Sequence, residues 1–259
     1  MGTLHVGLAS DYPPDRPTQQ RLSGVDAIVL EADLSNAQRA EAALRTRALY
    51  APGEPGLDTR IDAELKADTQ HVLAQVGFPA ETAWRMKPWM LGSTLVILQA
   101  AQLGYSPAYS TEAYLVSLAG SAGKPIGELE GVEAQLDLLD APTWPEQVDF
   151  LRQTVRSIAG GEAEQELRAL VAAWRSSDAA AMRDYLQRVS NSPDPVERAQ
   201  FDRLVTGRNA AMADRIDRML QDRRFYLIAV GSLHYFGKDG LVQALRDRGY
   251  TVTPVDAVP

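Results

Sequence analysis

The chain contains no cysteine and only three histidines among its 259 residues. The absence of cysteine excludes disulfide bonds, thiolate metal sites and a cysteine nucleophile. It does not define the compartment, because cysteine-free proteins occur in reducing and in oxidising environments. Any metal site must therefore draw on imidazole and oxygen ligands.

Clustered basic residues are also missing. The chain has 26 Lys and Arg against 34 Asp and Glu, a net charge of −8 and a pI near 5.0. A protein that binds a phosphate backbone needs Lys and Arg gathered on one face. The composition therefore argues against a nucleic acid partner.

Long apolar segments are absent as well. The most apolar stretch, about residues 89–103, contains two Gln, a Ser and a Thr and is shorter than the ~20 residues of a spanning helix. It predicts a buried helix and no membrane span. The first residues show no basic segment followed by an apolar one, so no signal peptide is predicted and the chain as written is expected in the cytoplasm.

What is present predicts an α/β protein. Hydrophobic residues make up 45% of the chain, enough for a sizeable core. Short branched apolar runs predict strands, and apolar residues at helical spacing predict helices between them. The predicted strands are 25–31, 124–127, 225–230 and 250–255, and the predicted helices are 35–49, 61–76, 81–103 with a kink at Pro88, 132–139, 151–158, 164–174, 179–189, 208–222 and 238–248.

The clearest unit is the strand 225–230, the helix 238–248 and the strand 250–255. This order predicts a right-handed crossover between parallel strands. We expect a central mixed β-sheet from the N- and C-terminal parts of the chain, flanked and capped by helices of the middle region. Residues 1–259 would form a single domain with a helical cap at roughly 57–222.

Two of the three histidines occur in the same Gly-x-x-His setting, as Gly2 to His5 and as Gly231 to His234. Ligands of open α/β sheets bind beyond the carboxyl ends of the strands. His234 directly follows a predicted strand and Glu31 ends another, while His5 takes an equivalent place if a strand precedes it. Each glycine permits a sharp turn and close backbone approach.

Two imidazoles and a carboxylate form a usual ligand set for Mn, Fe, Co or Zn. A metal held in this way lowers the pKa of bound water and produces a hydroxide nucleophile. The alternative is that each histidine at a strand end is a hydrogen-bonded structural residue, and the spacing alone does not decide between them.

Arg208 shares a helix face with apolar residues, which predicts that it is buried and needs an anionic partner. Asn209 beside it is predicted to point inward at the same site. Alternatively, Arg208 caps its helix or pairs with a core carboxylate such as Glu130. Glu128 and Glu130 follow a predicted strand, so either is a candidate base, ligand or arginine partner, or part of a solvated face.

The remaining histidine and the tryptophans are not predicted to be functional. His71 lies on a helix among polar neighbours and is expected at the surface. Three of the tryptophans are expected in the core rather than as ligand platforms. These are Trp89, Trp144 and Trp174.

Taken together, these segments resemble the TraB/GumN family, which is related to the Tiki metalloproteases. In that family two Gly-x-x-His motifs and an acidic residue belong to one site, and in Tiki proteins the site is associated with divalent-metal-dependent proteolysis. A more distant relative, the erythromycin esterase group, is hydrolytic. The resemblance rests on GTLHVG, DAIVLEADL, MKPWM, GKPIGELEGVEAQL, VTGRNAAMADRI and FYLIAVGSLHYFGKDGLVQALRDRGYTVTPV.

The resemblance implies a Mn, Co, Zn or Fe ion held by His5, His234 and Glu31, with Arg208 and Asn209 nearby and Glu130 contributing. Two departures stand out. Members usually carry a longer apolar segment before the first motif, so His5 is expected to be weakly anchored. The residue before the Arg-Asn pair is commonly glutamate and is glycine here, at position 207. Members are often exported, which leaves the compartment open.

We therefore predict a metal-dependent, peptidase-like hydrolase that acts on a peptide or a small amide or ester. Glu31 or Glu130 would be the general base and Arg208 would stabilise the developing oxyanion. The alternative is a non-catalytic protein that keeps the pocket for a peptide or small molecule, which Gly207 and the short start favour. The sequence does not define the oligomeric state.

Overall fold

The computed structural model describes residues 1–33 and 35–255. The chain forms two compact units. The sheet unit comprises residues 1–35, 107–131 and the chain from Leu170 on, and the helical unit comprises residues 36–106 and 132–169. The single domain of residues 1–259 with a helical cap at roughly 57–222 stays a prediction.

The described residues contain four strands and thirteen α-helices. The strands are β1 Gly2–Thr3, β2 Ala27–Leu30, β3 Ile126–Glu128 and β4 Tyr226–Gly231. The helices are α1 Arg16–Ser23, α2 Ala37–Ala48, α3 Ala63–Val76, α4 Ala80–Ala83, α5 Pro88–Gln102, α6 Thr111–Ala122, α7 Val132–Asp140, α8 Trp144–Gly160, α9 Glu162–Arg175, α10 Ala179–Ser190, α11 Pro195–Phe201, α12 Gly207–Met219 and α13 Leu241–Asp247.

The four strands form one sheet in the order β1-β4-β2-β3. All three described pairings are parallel, so the α/β class is confirmed and the sheet is parallel rather than mixed. Parallel strands bring their carboxyl ends to one edge of the sheet. Residues that follow β1, β2, β3 and β4 therefore meet at that edge.

Side chains of β2 alternate between two apolar layers, because successive residues of a strand point to opposite faces. Ile28 and Leu30 pack with residues of α1 and α6, including Leu22 and Leu115. Val29 packs on the other face with residues of α12 and α13. The sheet is thus covered by helices on both faces, as a parallel sheet requires.

The helical unit has its own core. Its buried side chains come from α3, α5 and α8 and from the segments between them, and they form one apolar cluster. Nearby residues cap both ends of α3. Asp62 accepts a hydrogen bond from Leu65 N–H at its start, and Gly77 ends it in the left-handed conformation. The cluster contains Leu57, Leu65, Val72, Leu73, Ala83, Met86, Leu91, Leu95, Leu151, Val155 and Ile158.

Two predicted elements differ from the structure. Residues 250–255 form no strand, because most of them are exposed and Pro254 has no N–H for a sheet. The predicted crossover onto a strand there is therefore wrong. The predicted helix 81–103 is not kinked at Pro88 but divided, with Pro88 at the first turn of α5, where proline loses no hydrogen bond.

Candidate functional site

The two Gly-x-x-His motifs lie side by side. Gly2 of β1 pairs with Val230 of β4, and Thr3 pairs with Gly231. The Ser232 hydroxyl donates a hydrogen bond to the Thr3 carbonyl at 2.9 Å, and a Cβ on Gly2 would lie 2.8 Å from the Ser232 Oγ. The glycine therefore permits this close approach. A strand does precede His5, and the two motifs end neighbouring strands.

His234 is buried in the short helical turn that follows β4. Its Nδ1 lies 2.7 Å from the Asn209 Oδ1, and the Asn209 amide N donates to the Asp239 carbonyl at 2.8 Å. That second bond orients the amide so that its oxygen faces the ring. The proton of the neutral imidazole therefore resides on Nδ1, and Nε2 presents a lone pair.

His5 has the same tautomer for a different reason. Its Nδ1 donates to the Glu112 Oε1 at 3.0 Å, while 73% of its side chain is exposed. This carboxylate raises the pKa of His5. Histidines that bind metals commonly donate their second ring N–H to such an oxygen, so in the neutral form of each ring Nε2 carries the lone pair.

The segment that carries His5 is anchored to the start of α6. Leu4 N–H donates to the Thr111 hydroxyl at 3.2 Å, and Thr111 N–H donates to the Leu4 carbonyl at 3.1 Å. The expected weak anchoring of His5 is therefore wrong. Sequence reasoning missed Glu112, although Ser110-Thr-Glu is a helix-start pattern that places a carboxylate in the first turn.

Arg208 is clamped between two carboxylates. Its Nη2 donates to Glu31 and to Glu130, and its Nε donates to the Glu130 Oε1 at 2.9 Å. Only 12% of the Arg208 side chain is exposed. The prediction that Arg208 has an anionic partner is thus confirmed, and there are two such partners, Glu31 and Glu130. Two carboxylates and one guanidinium leave this cluster with one net negative charge.

The backbone before Arg208 is unusual. Residues 202–206 form a π-helical turn between α11 and α12, a feature that is frequent at functional sites. Arg208 Nη1 donates to the Leu204 carbonyl of this turn at 2.6 Å. A Cβ on Gly207 would lie 3.0 Å from the Asp202 carbonyl oxygen, so glycine fits tightly at the junction.

Glu31 follows β2 and meets β4 at the same edge. Its Oε1 accepts a hydrogen bond from Gly231 N–H at 2.6 Å and lies 3.8 Å from the His234 Nε2. A Cβ on Gly231 would lie 3.3 Å from this oxygen and 3.4 Å from the His234 ring. The motif glycine therefore lets the carboxylate and the ring approach each other.

Electrostatics place the two groups in different charge states. Burial would raise the pKa of Glu31, but Arg208, His234 and the Gly231 N–H outweigh it and hold the pKa below its ordinary value. Burial lowers the pKa of His234 despite the attraction of Glu31. Near neutral pH an ionised carboxylate thus faces the lone pair of a neutral imidazole, an arrangement that suits a bound cation.

The donor chemistry of His234 and Glu31 fits a divalent ion. In the part of the chain that the structure describes, however, no group of three or more His, Asp or Glu side chains could hold a metal ion. His5, the third predicted ligand, contacts Glu112 instead.

The other candidates lie outside this cluster. Glu128 accepts a hydrogen bond from Asp33 N–H at 2.7 Å, which ties two strand ends together. His71 is exposed and contacts Gln75 at 3.2 Å, as predicted for a surface residue. Trp144 was expected in the core, but it is 40% exposed.

The free energy of unfolding is expected to fall as the pH drops below about 6.5. Unfolded His234 takes up a proton near its ordinary pKa of 6.5, whereas the folded residue stays neutral to lower pH, so the unfolded state binds more protons. His234 contributes at most about 1.4 kcal/mol per pH unit to this slope, and the buried Met1 amino group, whose pKa burial lowers to about 5, adds a contribution of the same sign. His5, whose pKa is raised, opposes it weakly because its ring is exposed. Urea unfolding between pH 5 and 7 measures it.

The matched variants are His234→Gln and His71→Gln. The first should reduce the slope between pH 5 and 6.5 to the part that the Met1 amino group contributes, and the second should retain the full slope, because His71 is exposed on α3. An unchanged slope in His234→Gln would contradict the assignment of the lowered pKa to His234.

Comparison with known proteins identifies the family of the chain. The sequence model of the TraB/PrgY/gumN family matches residues 1–254. The chain is 27% identical over 247 residues to the uncharacterized protein YbaP of Escherichia coli K12 and to YbaP of Shigella flexneri, covering 95% of this chain and 86% of each relative. No solved structure matches. Among the described residues, no helix has the length and apolar character needed to cross a membrane.

Proposed function

The chain belongs to the TraB/PrgY/gumN family, and we propose that it is a metal-dependent hydrolase that cleaves a peptide or another amide or ester bond. One observation carries the proposal: the ionised Glu31 faces the Nε2 lone pair of neutral His234 at 3.8 Å. Each of these groups is held in place by a partner that belongs to another element, Arg208 for the carboxylate and Asn209 for the ring. Such support is typical of functional groups.

In this proposal His234, Glu31 and His5 hold a Mn, Co, Zn or Fe ion. The ion, when bound, lowers the pKa of a water molecule and polarises the scissile carbonyl. The net negative charge of the Glu31, Glu130 and Arg208 cluster favours a cation there. His5 is the most exposed of the proposed ligands, which leaves it open to the substrate side.

The remaining roles follow from position. Glu130 is the proposed general base, since its carboxylate lies beside that of Glu31 and pairs with the same Arg208 guanidinium. Arg208 is proposed to keep Glu31 ionised and to offset the negative charge that develops on the carbonyl oxygen. Glu112 orients His5 through Nδ1.

The test compares the wild type with His234→Ala and His71→Ala. Metal content after purification and dialysis against Mn, Co, Zn or Fe is measured, followed by a broad screen of peptide, amide and ester substrates. We expect about one ion per chain and hydrolysis in the wild type and in His71→Ala, with both lost in His234→Ala. No bound ion and no turnover with any of these ions would overturn the proposal.

A second candidate is a protein that binds a peptide or small molecule at this site without turnover. The glycine at position 207 favours it, since the resemblance implies a glutamate before the Arg-Asn pair and glycine supplies no carboxylate there. Metal binding that depends on His234, without hydrolysis in the same screen, would support this candidate.

A further inference from the structure

The two outer strands of the sheet differ in how their free edges are closed. β1 and β3 lie at the two ends of the order β1-β4-β2-β3, so each has one side without a strand partner. Such an edge presents backbone N–H and C=O groups, and proteins commonly cover or charge it. On β1 the Trp174 indole closes the edge, because its Nε1 donates to the Gly2 carbonyl at 2.9 Å.

The register of β3 identifies which of its backbone groups point outward. Ile126 is paired with Ile28 of β2, and the Ile28 N–H donates to the Pro125 carbonyl at 3.1 Å. In such a parallel pair the bonds of Ile28 go to the residues before and after Ile126, so the N–H and C=O of Ile126 itself point away from β2. Gly2 takes the same position in β1, opposite Val230.

Ile126 has no counterpart of the indole that closes β1. Within residues 1–33 and 35–255, neither its N–H nor its C=O has a hydrogen-bond partner. All three residues of β3 are partly exposed, whereas all four residues of β2 are buried. Backbone groups without a protein partner are almost always solvated. The edge of β3 is therefore open to the addition of a further strand.

The carboxyl end of β3 is acidic, and this charge selects among possible partners. Four carboxylates belong to residues at the ends of β2 and β3, namely Glu31, Asp33, Glu128 and Glu130. Two guanidiniums lie among them, since Arg208 pairs with two of these carboxylates and Arg215 donates to the Leu129 carbonyl at 3.2 Å. The formal charge of −2 attracts a basic segment. A second copy of this chain, with its net charge of −8, is repelled.

From these observations we propose that the free edge of β3 binds an extended, basic peptide segment as an added strand. In an antiparallel arrangement one peptide residue exchanges both hydrogen bonds with Ile126. Its neighbours then lie along Glu128 and toward Glu130, roughly 13 Å farther along an extended chain. Binding at this edge needs no metal. Its consequence, that the substrate is an extended polypeptide that reaches Glu31 and His234, rests on the proposed function.

The probe is trifluoroacetyl-Lys-Val-Thr-Val-Thr-Lys-amide, whose Val and Thr residues favour an extended chain. It is titrated in the presence of EDTA into full-length protein labelled with ¹⁵N at isoleucine, and Ile126→Val identifies the Ile126 signal. In the free protein the Ile126 amide should exchange with solvent much faster than the Ile28 amide, which donates within the sheet. The peptide should shift the Ile126 signal saturably, with a dissociation constant of roughly 0.1–1 mM, and slow its exchange.

Matched variants test the backbone contact. Ile126→Pro removes the outward N–H but no bond of the sheet, a change that edge strands tolerate, whereas Ile126→Val keeps the N–H. Fluorine NMR of the peptide should show affinity lowered about 5–10-fold in the first variant and nearly unchanged in the second. Circular dichroism checks that both are folded.

Two altered peptides test the partner and do not depend on the folding of Ile126→Pro. The peptide that is N-methylated at its four central residues cannot donate from either edge and should not bind. The peptide with glutamate in place of both lysines should bind about 5-fold more weakly, because it meets acidic side chains.

A protected Ile126 amide in the free protein, equal affinities of Ile126→Pro and Ile126→Val, or binding of the N-methylated peptide would each overturn the proposal. A dimer in analytical ultracentrifugation whose formation protects Ile126 would also overturn it, since the edge would then hold a second copy. Peptide binding at Ile126 without hydrolysis would refute the proposed function alone. Hydrolysis without any shift of the Ile126 signal would refute the strand addition alone.

Discussion

Replacing Arg208 with methionine is expected to lower the free energy of unfolding by about 3–5 kcal/mol, because the change leaves the buried Glu31 and the partly buried Glu130 without their shared cation. The loss should be largest near neutral pH. It should shrink as the pH falls from about 4.5, the ordinary pKa of glutamate, toward the lowered pKa of Glu31, where the Glu31 carboxylate takes up a proton. Urea unfolding at pH 7 and pH 4 measures both effects.

The matched control is Arg39→Met. Arg39 forms a two-bond pair with Glu133 in which both side chains are 39% exposed, and exposed ion pairs contribute about 0–1 kcal/mol. Adding Glu31→Gln and Glu130→Gln to Arg208→Met should recover part of the lost stability, because the neutral amides cost less to bury. Equal losses in Arg208→Met and Arg39→Met would contradict the buried cluster.

Asn209→Leu is expected to have the second largest effect, a loss of metal affinity and activity at the candidate site. Leucine has a similar size but no amide, so the His234 Nδ1–H loses the acceptor that defines its tautomer. Loss of such a supporting bond typically costs 10–100-fold in metal affinity or activity. The drop in both quantities should appear together, with the secondary structure unchanged in circular dichroism.

The tautomer itself supplies a readout that does not depend on activity. Nitrogen chemical shifts of His234 should show protonated Nδ1 in the wild type and a mixture of tautomers in Asn209→Leu. The control Gln221→Leu changes an exposed amide on the segment after α12 and should leave the spectrum unchanged. A wild-type ring protonated on Nε2 would contradict the assignment.

Local patterns predicted much of the fold because helices and strands are set by periodicity and by their end residues. Asn36 and Gly77 begin and end predicted helices as caps, and the strand before His234 appears as β4. The strand predicted at residues 250–255 does not form, because an apolar pattern that includes Pro254 does not compensate for the lack of a strand partner.

The candidate site divides in a similar way. Residue type and position after a predicted strand identified four candidates, His5, Glu31, Glu130 and His234. Burial on a helix face predicted that Arg208 needs an anionic partner. The pairing of His5 with Glu112 joins residues 107 positions apart. No periodic pattern connects them, so it required the packed structure.

The sequence by itself determined the elements, the candidate ligand types and the order of the two Gly-x-x-His motifs, because these depend on side-chain chemistry and short-range spacing. Only the tertiary structure decided the charge states, the tautomers and the clamp of Arg208. Those properties follow from burial and from partners that are distant in the chain, such as Glu31 and Arg208, which are 177 positions apart. The parallel pairing of β1 with β4 brings the two Gly-x-x-His motifs side by side.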